Sequence, residues 1–253
     1  MNNNITKITA LHYVKLVYRS LLLIAGIVFY AILYNQGGIN VDSFIPINGL
    51  GLETIFLMIV WIVYMVEMVL RLFPSKHESM GCQKQFKRNF EPTGNSEIKL
   101  VSWKRTFITI SAWLALNGAI GALYYLNIFD KGILLLISLA YGICDMICIL
   151  FFCPFHTLFL KSRCCADCRI YNWDFAMMFT PFVFMLNSWF TATLFALAMV
   201  ILIRWEITLK VHPERFSQNT NKCLDCARCP EKLCRHKRQL KSYLKKNKEL
   251  LKK

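Results

Sequence analysis

Residues 175–203 read FAMMFTPFVFMLNSWFTATLFALAMVILI. The run is uncharged and mostly apolar. About 20 helical residues cross the ~30 Å hydrocarbon core of a bilayer, so this run is long for one crossing and short for two. The flanking charges decide between these. Lys161, Arg163 and Arg169 precede it, and Arg204, Lys210 and Arg215 follow it. Basic flanks face the cytoplasm, so both ends belong on one side and the run crosses twice, turning near Asn187-Ser188. The first of the two crossings starts near Asp174 and is short. Pro181 is expected to kink it, because the ring removes a backbone hydrogen bond. A re-entrant hairpin over 175–203 is the competing reading and keeps the same sidedness.

Four further apolar runs precede it: Val14–Tyr34, Gly51–Leu72, Thr106–Leu126 and Gly132–Phe152. Together they predict an all-α fold, a polytopic membrane helix bundle of about six transmembrane helices. The whole chain is 56% hydrophobic, above the usual 45–50% of soluble domains, and its mean hydropathy is +0.41. Of its 30 Lys and Arg, only Lys131 falls on the predicted outer side. Both termini are therefore expected in the cytoplasm, with the chain multi-pass in the cytoplasmic (inner) membrane. The first run is too long for a signal h-region and reads as a retained helix. The expected division is a six-helix transmembrane domain over 1–210 and a small Cys-rich, basic tail over 211–253.

The net charge of +15 raises nucleic acid as a partner, but no nucleic-acid motif accompanies it, and none is expected. Residues 235–253 hold nine Lys or Arg and one acid, with Leu240, Tyr243, Leu244 and Leu251 near one helical face. That pattern suits a basic amphipathic helix on anionic lipid. Inside the spans, Glu67 and Arg71 lie four apart and read as a local ion pair. Asp145 is expected to meet Arg204. Ser111, Ala115 and Ala119, with Gly118 and Ala122, form small-residue rows that let helices approach closely.

The chemistry is carried by cysteine. Four of the eleven cysteines, Cys153, Cys164, Cys165 and Cys168, fall in the polar break CPFHTLFLKSRCCADCRIYNWD (153–174). Four more, Cys223, Cys226, Cys229 and Cys234, lie in the tail. Cys82 shares their predicted side, while Cys144 and Cys148 lie inside the fourth span and read as packing residues. The cytoplasm is reducing, so clustered thiols there favour metal binding or redox work over structural disulfides. Cys165-x2-Cys168 and Cys223-x2-Cys226-x2-Cys229 have metal-ligand spacing, which lets one turn aim two sulfurs at one ion. All eight clustered cysteines are candidate ligands, for an iron–sulfur cluster or for zinc, and His156 is a further candidate. Arg169, Asn172 and Asp174 are candidates to support the thiolates. No haem site is expected, because none of the five histidines lies within a span.

Cys223 to Cys234 resembles the bacterial ferredoxin motif C-x2-C-x2-C-x3-C-P. It departs from it in a four-residue last gap and in Pro230 following the third cysteine. Cys153-Pro154 is faintly similar to the C-P turns of membrane-anchored polyferredoxins. CADCRIYNWDFAMMFTP (165–181) resembles a group of uncharacterised bacterial and archaeal membrane proteins, mostly from anaerobes. In these a cysteine pair precedes R-I-aromatic-N-W-D at the start of a span. The resemblance extends to Arg204-Trp205-Glu206 and His212–Phe216, and it implies an anaerobic setting. Three functions remain open: an iron–sulfur protein relaying electrons to a redox partner protein, a scaffold tied by structural zinc, and a metal-handling transporter with Cys144, Asp145 and Cys148 lining its path.

Overall fold

The structure, a computed structural model, describes residues 7–34, 39, 41–44, 51–74, 84–155 and 172–224. The α-helices among the described residues are, in chain order, α1 (Lys7–Leu33), α2 (Leu52–Arg71), α3 (Trp103–Tyr125), α4 (Lys131–Leu150), α5 (Asp174–Met178) and α6 (Trp189–Val211). Among the described residues all but α5 are long and apolar enough to cross a membrane. On α1, Val14, Val17, Leu21, Ile24, Val28 and Ile32 are all exposed. An apolar stripe of helical period left uncovered by the described residues suits a lipid-facing surface, and with five such apolar helices this is a membrane protein.

Two ends of the bundle are defined by contacts. At the near end, where α1 begins, Arg71 pairs with Asp174 at 2.5 Å and Arg204 donates to the Leu72 carbonyl at 2.5 Å. At the far end, Tyr30 donates to Asp130 at 2.9 Å, Lys131 pairs with Asp42, and Ser188 donates to the Val41 carbonyl at 3.0 Å. Residues 174–188 therefore run from the near end to the far end, and α6 returns. Residues 175–203 thus make two passes between the two ends of the described bundle, the first of them short. The outward pass is α5 followed by a 3-10 helix, Thr180–Met185, with Pro181 in its first turn. The 3-10 winding rises about 2.0 Å per residue, so the composite covers roughly 20 Å, less than a bilayer core. Most of it is turned inward: Phe175, Met178, Phe179, Pro181, Phe182 and Met185 are buried, while Val183 and Leu186 are exposed. Phe179 and Phe182 stack at 5.2 Å and are buried among α2, α4 and α6. Irregular backbone at membrane depth is tolerated where protein surrounds it.

Local chemistry sets the α3–α4 hairpin. Asn127 takes a left-handed φ of 56° and ends α3, a conformation that Asn tolerates better than most residues. The Asp130 side chain then caps α4 by accepting from the Ile133 amide at 2.7 Å. The core joins Leu57, Val60, Tyr64 and Met68 of α2 to Leu134, Leu135 and Leu139 of α4 and to Phe190 and Leu194 of α6.

The small-residue rows of α3 behave differently from expectation. Ser111, Ala115, Gly118, Ala119 and Ala122 are exposed, and a Cβ on Gly118 would meet nothing within 4 Å. The contact edge of α3 is instead Thr109, Trp113, Asn117 and Gly121. Trp113 donates to Thr180 at 3.1 Å, and the Phe184 ring lies where a Gly121 Cβ would stand. Small spacing marks a surface able to approach another, but it does not say which surface meets the bundle. Gly121→Leu should cost about 1–3 kcal/mol by overpacking, whereas Gly118→Leu should stay within about 0.5 kcal/mol. Detergent-unfolding midpoints check this, and equal losses would contradict the packing described.

Candidate functional site

At the near end a cap forms from two loops. Trp205 of α6 makes ring contacts with Phe86 and Phe216, at 5.0 and 6.2 Å. The segments beyond those rings then pair. Lys222 donates to the Glu91 carbonyl at 2.8 Å, the Thr93 amide to the Thr220 carbonyl at 3.1 Å, and the Lys99 amide to Ser217 Oγ at 3.0 Å. Asn221 is the pin. Its Nδ2 donates to the Lys84 and Arg215 carbonyls, both at 2.9 Å, and its Oδ1 accepts from the Cys223 amide at 3.1 Å.

Of the eight candidate ligands, Cys153 and Cys223 are described; Cys164, Cys165, Cys168, Cys226, Cys229 and Cys234 lie outside the described residues. So do Cys82, His156, Arg169 and the basic tail helix. Cys144, Cys148, Cys153 and Cys223 form no disulfide. Cys153 follows α4 and hydrogen-bonds with Cys148. The Cys223 thiol donates to the Asn89 carbonyl at 2.9 Å. Burial, with the Glu91 carboxylate beside it, pushes this thiol above its ordinary range, against the opposing charge of Lys84. Among the described residues no three His, Cys, Asp or Glu side chains gather closely enough to hold a metal. Asn172 donates to Gln85 at 3.0 Å and Asp174 pairs with Arg71. The described partners of both are thus protein groups that pin the end of the first thiol segment.

What the structure does bring together is the attachment of the two thiol segments. Asn172 ends the first segment and binds Gln85. Asn221 opens the second and binds Lys84, the residue before it. Cys168 is four residues from Asn172 and Cys226 is five from Asn221. Extended chain covers at most about 3.6 Å per residue, so each thiol lies within roughly 20 Å of its anchor.

The second constellation lies within the bundle, and the sequence reading did not assemble it. Arg19 of α1 is only 2% exposed. Its Nη1 donates to the Gly142 carbonyl at 2.8 Å and to Asp145 at 3.2 Å, and its Nη2 to Glu67 at 2.5 Å. The Tyr64 ring lies under the guanidinium at 5.6 Å, a cation–π contact. Gly142 permits this approach, since a Cβ there would stand 2.7 Å from Tyr64 Oη. Lys15 adds an ion pair to Glu67 at 3.8 Å. With Arg71–Asp174 below, three cations face three carboxylates across α1, α2, α4 and α5. Charges at this depth are costly and persist only when paired. Two expected pairs are thereby replaced. Glu67 turns to Arg19 and Lys15 rather than to Arg71, and Asp145 turns to Arg19 rather than to Arg204, which sits at Leu72. The readable signal was Arg19 itself, a cation several residues inside an apolar run.

A cavity of about 420 Å³ lies between α3, α5 and α6, walled by Trp113, Trp173, Met177, Phe195 and Leu202. At its near end Trp173 Nε1 donates to Glu206 at 2.7 Å. Compared with protein families, curated proteins and solved structures, the chain has no match in any of the three.

Proposed function

We propose that this protein is an integral membrane metalloprotein whose two thiol segments build one metal centre at the near end of the bundle, an iron–sulfur cluster or zinc, with electron transfer as the role in the first case. The observation that supports this is the shared anchor. Segments 153–172 and 221–234 are tied to the adjacent residues Lys84 and Gln85, so their cysteines start from one patch. Cys82, two residues before Lys84, starts from the same place. The donor set is thiolate, which selects zinc or iron–sulfur over harder cations. When bound, the metal would supply either a redox couple or a structural tie, and the chain would supply sulfur ligands and the fixed cap. The basic flanks of the apolar runs favour a cytoplasmic near end.

The Cys223 thiol holds its proton to higher pH than an ordinary cysteine. Metal must displace that proton, so loading should strengthen as pH rises and fail in mild acid. Anaerobic purification with iron, sulfide and zinc counted per chain is the test. Iron and sulfide with visible colour support the cluster, and stoichiometric zinc in colourless protein supports the tie. Metal-free protein whose cysteines all alkylate at the rate of a free thiol would end the reading. The transport alternative has less support, because Asp145 is already bound by Arg19.

A further inference from the structure

We infer that Glu67 is a proton-binding site inside the bundle, loaded from the near end past Lys15 and Asp145. Its two carboxylate oxygens differ. Oε2 accepts from Arg19 at 2.5 Å, while Oε1 is buried and accepts no hydrogen bond among the described residues. Lys15 Nζ stands 3.8 Å from Oε1. A buried carboxylate oxygen at membrane depth, with an ammonium 3.8 Å away but no hydrogen bond, is a costly state that protonation relieves. The proton takes Oε1, and Oε2 goes on accepting from Arg19.

The groups around Glu67 make that step balanced. On α1 these are Lys15 and Arg19, with the buried His12 one turn nearer the end. On α2 they are Tyr64 and Arg71. On α4 it is Asp145, and on α5 Asp174, which Arg71 holds. Glu67 and Asp145 share one guanidinium, so a proton on Glu67 removes one of two negative charges from a single cation. An O–H bond forms from hydronium, water leaves, and no electron moves.

A second observation points to the same place. Tyr64 Oη is fully buried and has no hydrogen-bond partner among the described residues, yet it stands against Gly142, whose carbonyl accepts from Arg19. Tyr64 and Glu67 are three apart on α2 and share a face. Access is one-sided. Lys15 and Asp145 are 18% and 17% exposed and lead to the near end. Toward the far end Leu57, Val60, Leu134, Leu135 and Leu139 are buried. The site therefore stores a proton and does not conduct one across the bundle. It stands whether or not the thiols hold a metal.

Infrared difference spectroscopy of the full-length, metal-free protein in lipid nanodiscs tests this as pH is lowered from alkaline to mildly acid. A protonated-carboxyl C=O band should grow, shift in D2O and vanish in Glu67→Gln. Asp145→Asn should keep the band and move its midpoint to lower pH, because a nearby negative charge is gone. Lys15→Gln should move it to higher pH, because a nearby cation is gone. Should Glu67→Gln not fold, the wild-type band and the Lys15→Gln shift decide. Absence of a titrating band in the wild type, or a band that survives Glu67→Gln, overturns the assignment.

Discussion

Arg19→Met should destabilise the folded bundle by about 3–5 kcal/mol, the usual cost of removing one partner from a buried ion pair. The methionine fills most of the arginine's volume, so the loss reports on charge more than on a hole. Without the guanidinium, Glu67 and Asp145 face each other across the α2–α4 seam with Lys15 and the more distant Arg71 to offset them. The Gly142 carbonyl also loses its Arg19 donor at 2.8 Å. Combining Arg19→Met with Glu67→Gln and Asp145→Asn should recover most of the loss, because neutral amides at those positions no longer need a cation. Arg19→Lys should fall between, since an ammonium keeps the charge but cannot fork to two carboxylates. Arg204→Met is the control. Among the described residues its exposed guanidinium donates to the Leu72 carbonyl, and the cost should be about 1 kcal/mol or less. Unfolding by denaturing detergent in mixed micelles measures all four. An Arg19→Met variant as stable as Arg204→Met would mean that the network carries no energy.

The contrast between 175–203 and Arg19 shows what the sequence makes legible. The start at Asp174, the irregular pass at Pro181 and the turn at Asn187-Ser188 were all readable, because each is a local effect: a dipole, a missing amide, a polar break. The short pass was readable only through its basic flanks, since most of it, Phe175, Phe179 and Phe182 among the residues concerned, is buried against neighbouring helices. The pairings were not readable. Glu67 and Arg71 satisfy the spacing rule for a helical pair, but in a bundle a carboxylate takes the cation that the neighbouring helix presents. Arg19 then looks like a flank, because its partners lie 48 and 126 residues away. The outward rows of α3 make the same point, for their spacing was right and their orientation was set by Trp113 and Gly121. The thiol segments are an intermediate case. Their spacing is local and legible, while their common anchor on Lys84 and Gln85 arises only from tertiary contacts of Asn172 and Asn221.

Asn221→Ala should cost the near-end cap about 2–4 kcal/mol of local stability. The side chain is fully buried and makes three hydrogen bonds. Its loss strands the Lys84 and Arg215 carbonyls and the Cys223 amide, and each such buried group costs about 1–3 kcal/mol before any resettling. The effect should be confined to the cap, because the bundle is held by its own core and by the Arg19 network. Hydrogen exchange should therefore accelerate over 84–101 and 212–224 and stay unchanged in α2 and α4. With every 1.4 kcal/mol worth tenfold, alkylation of Cys223 should speed up roughly 30-fold or more when resolved by peptide mass spectrometry. Asn219→Ala makes the comparison fair. Among the described residues its side chain reaches Glu97, at 3.4 Å on the exposed rim, and its removal should leave Cys223 as slow as in the wild type. If the two thiol segments share a site, Asn221→Ala must also loosen the first segment's anchor at Gln85, and the cysteines of 153–168 should gain reactivity in step with Cys223. Acceleration at Cys223 alone would mean that the segments are pinned side by side but work apart.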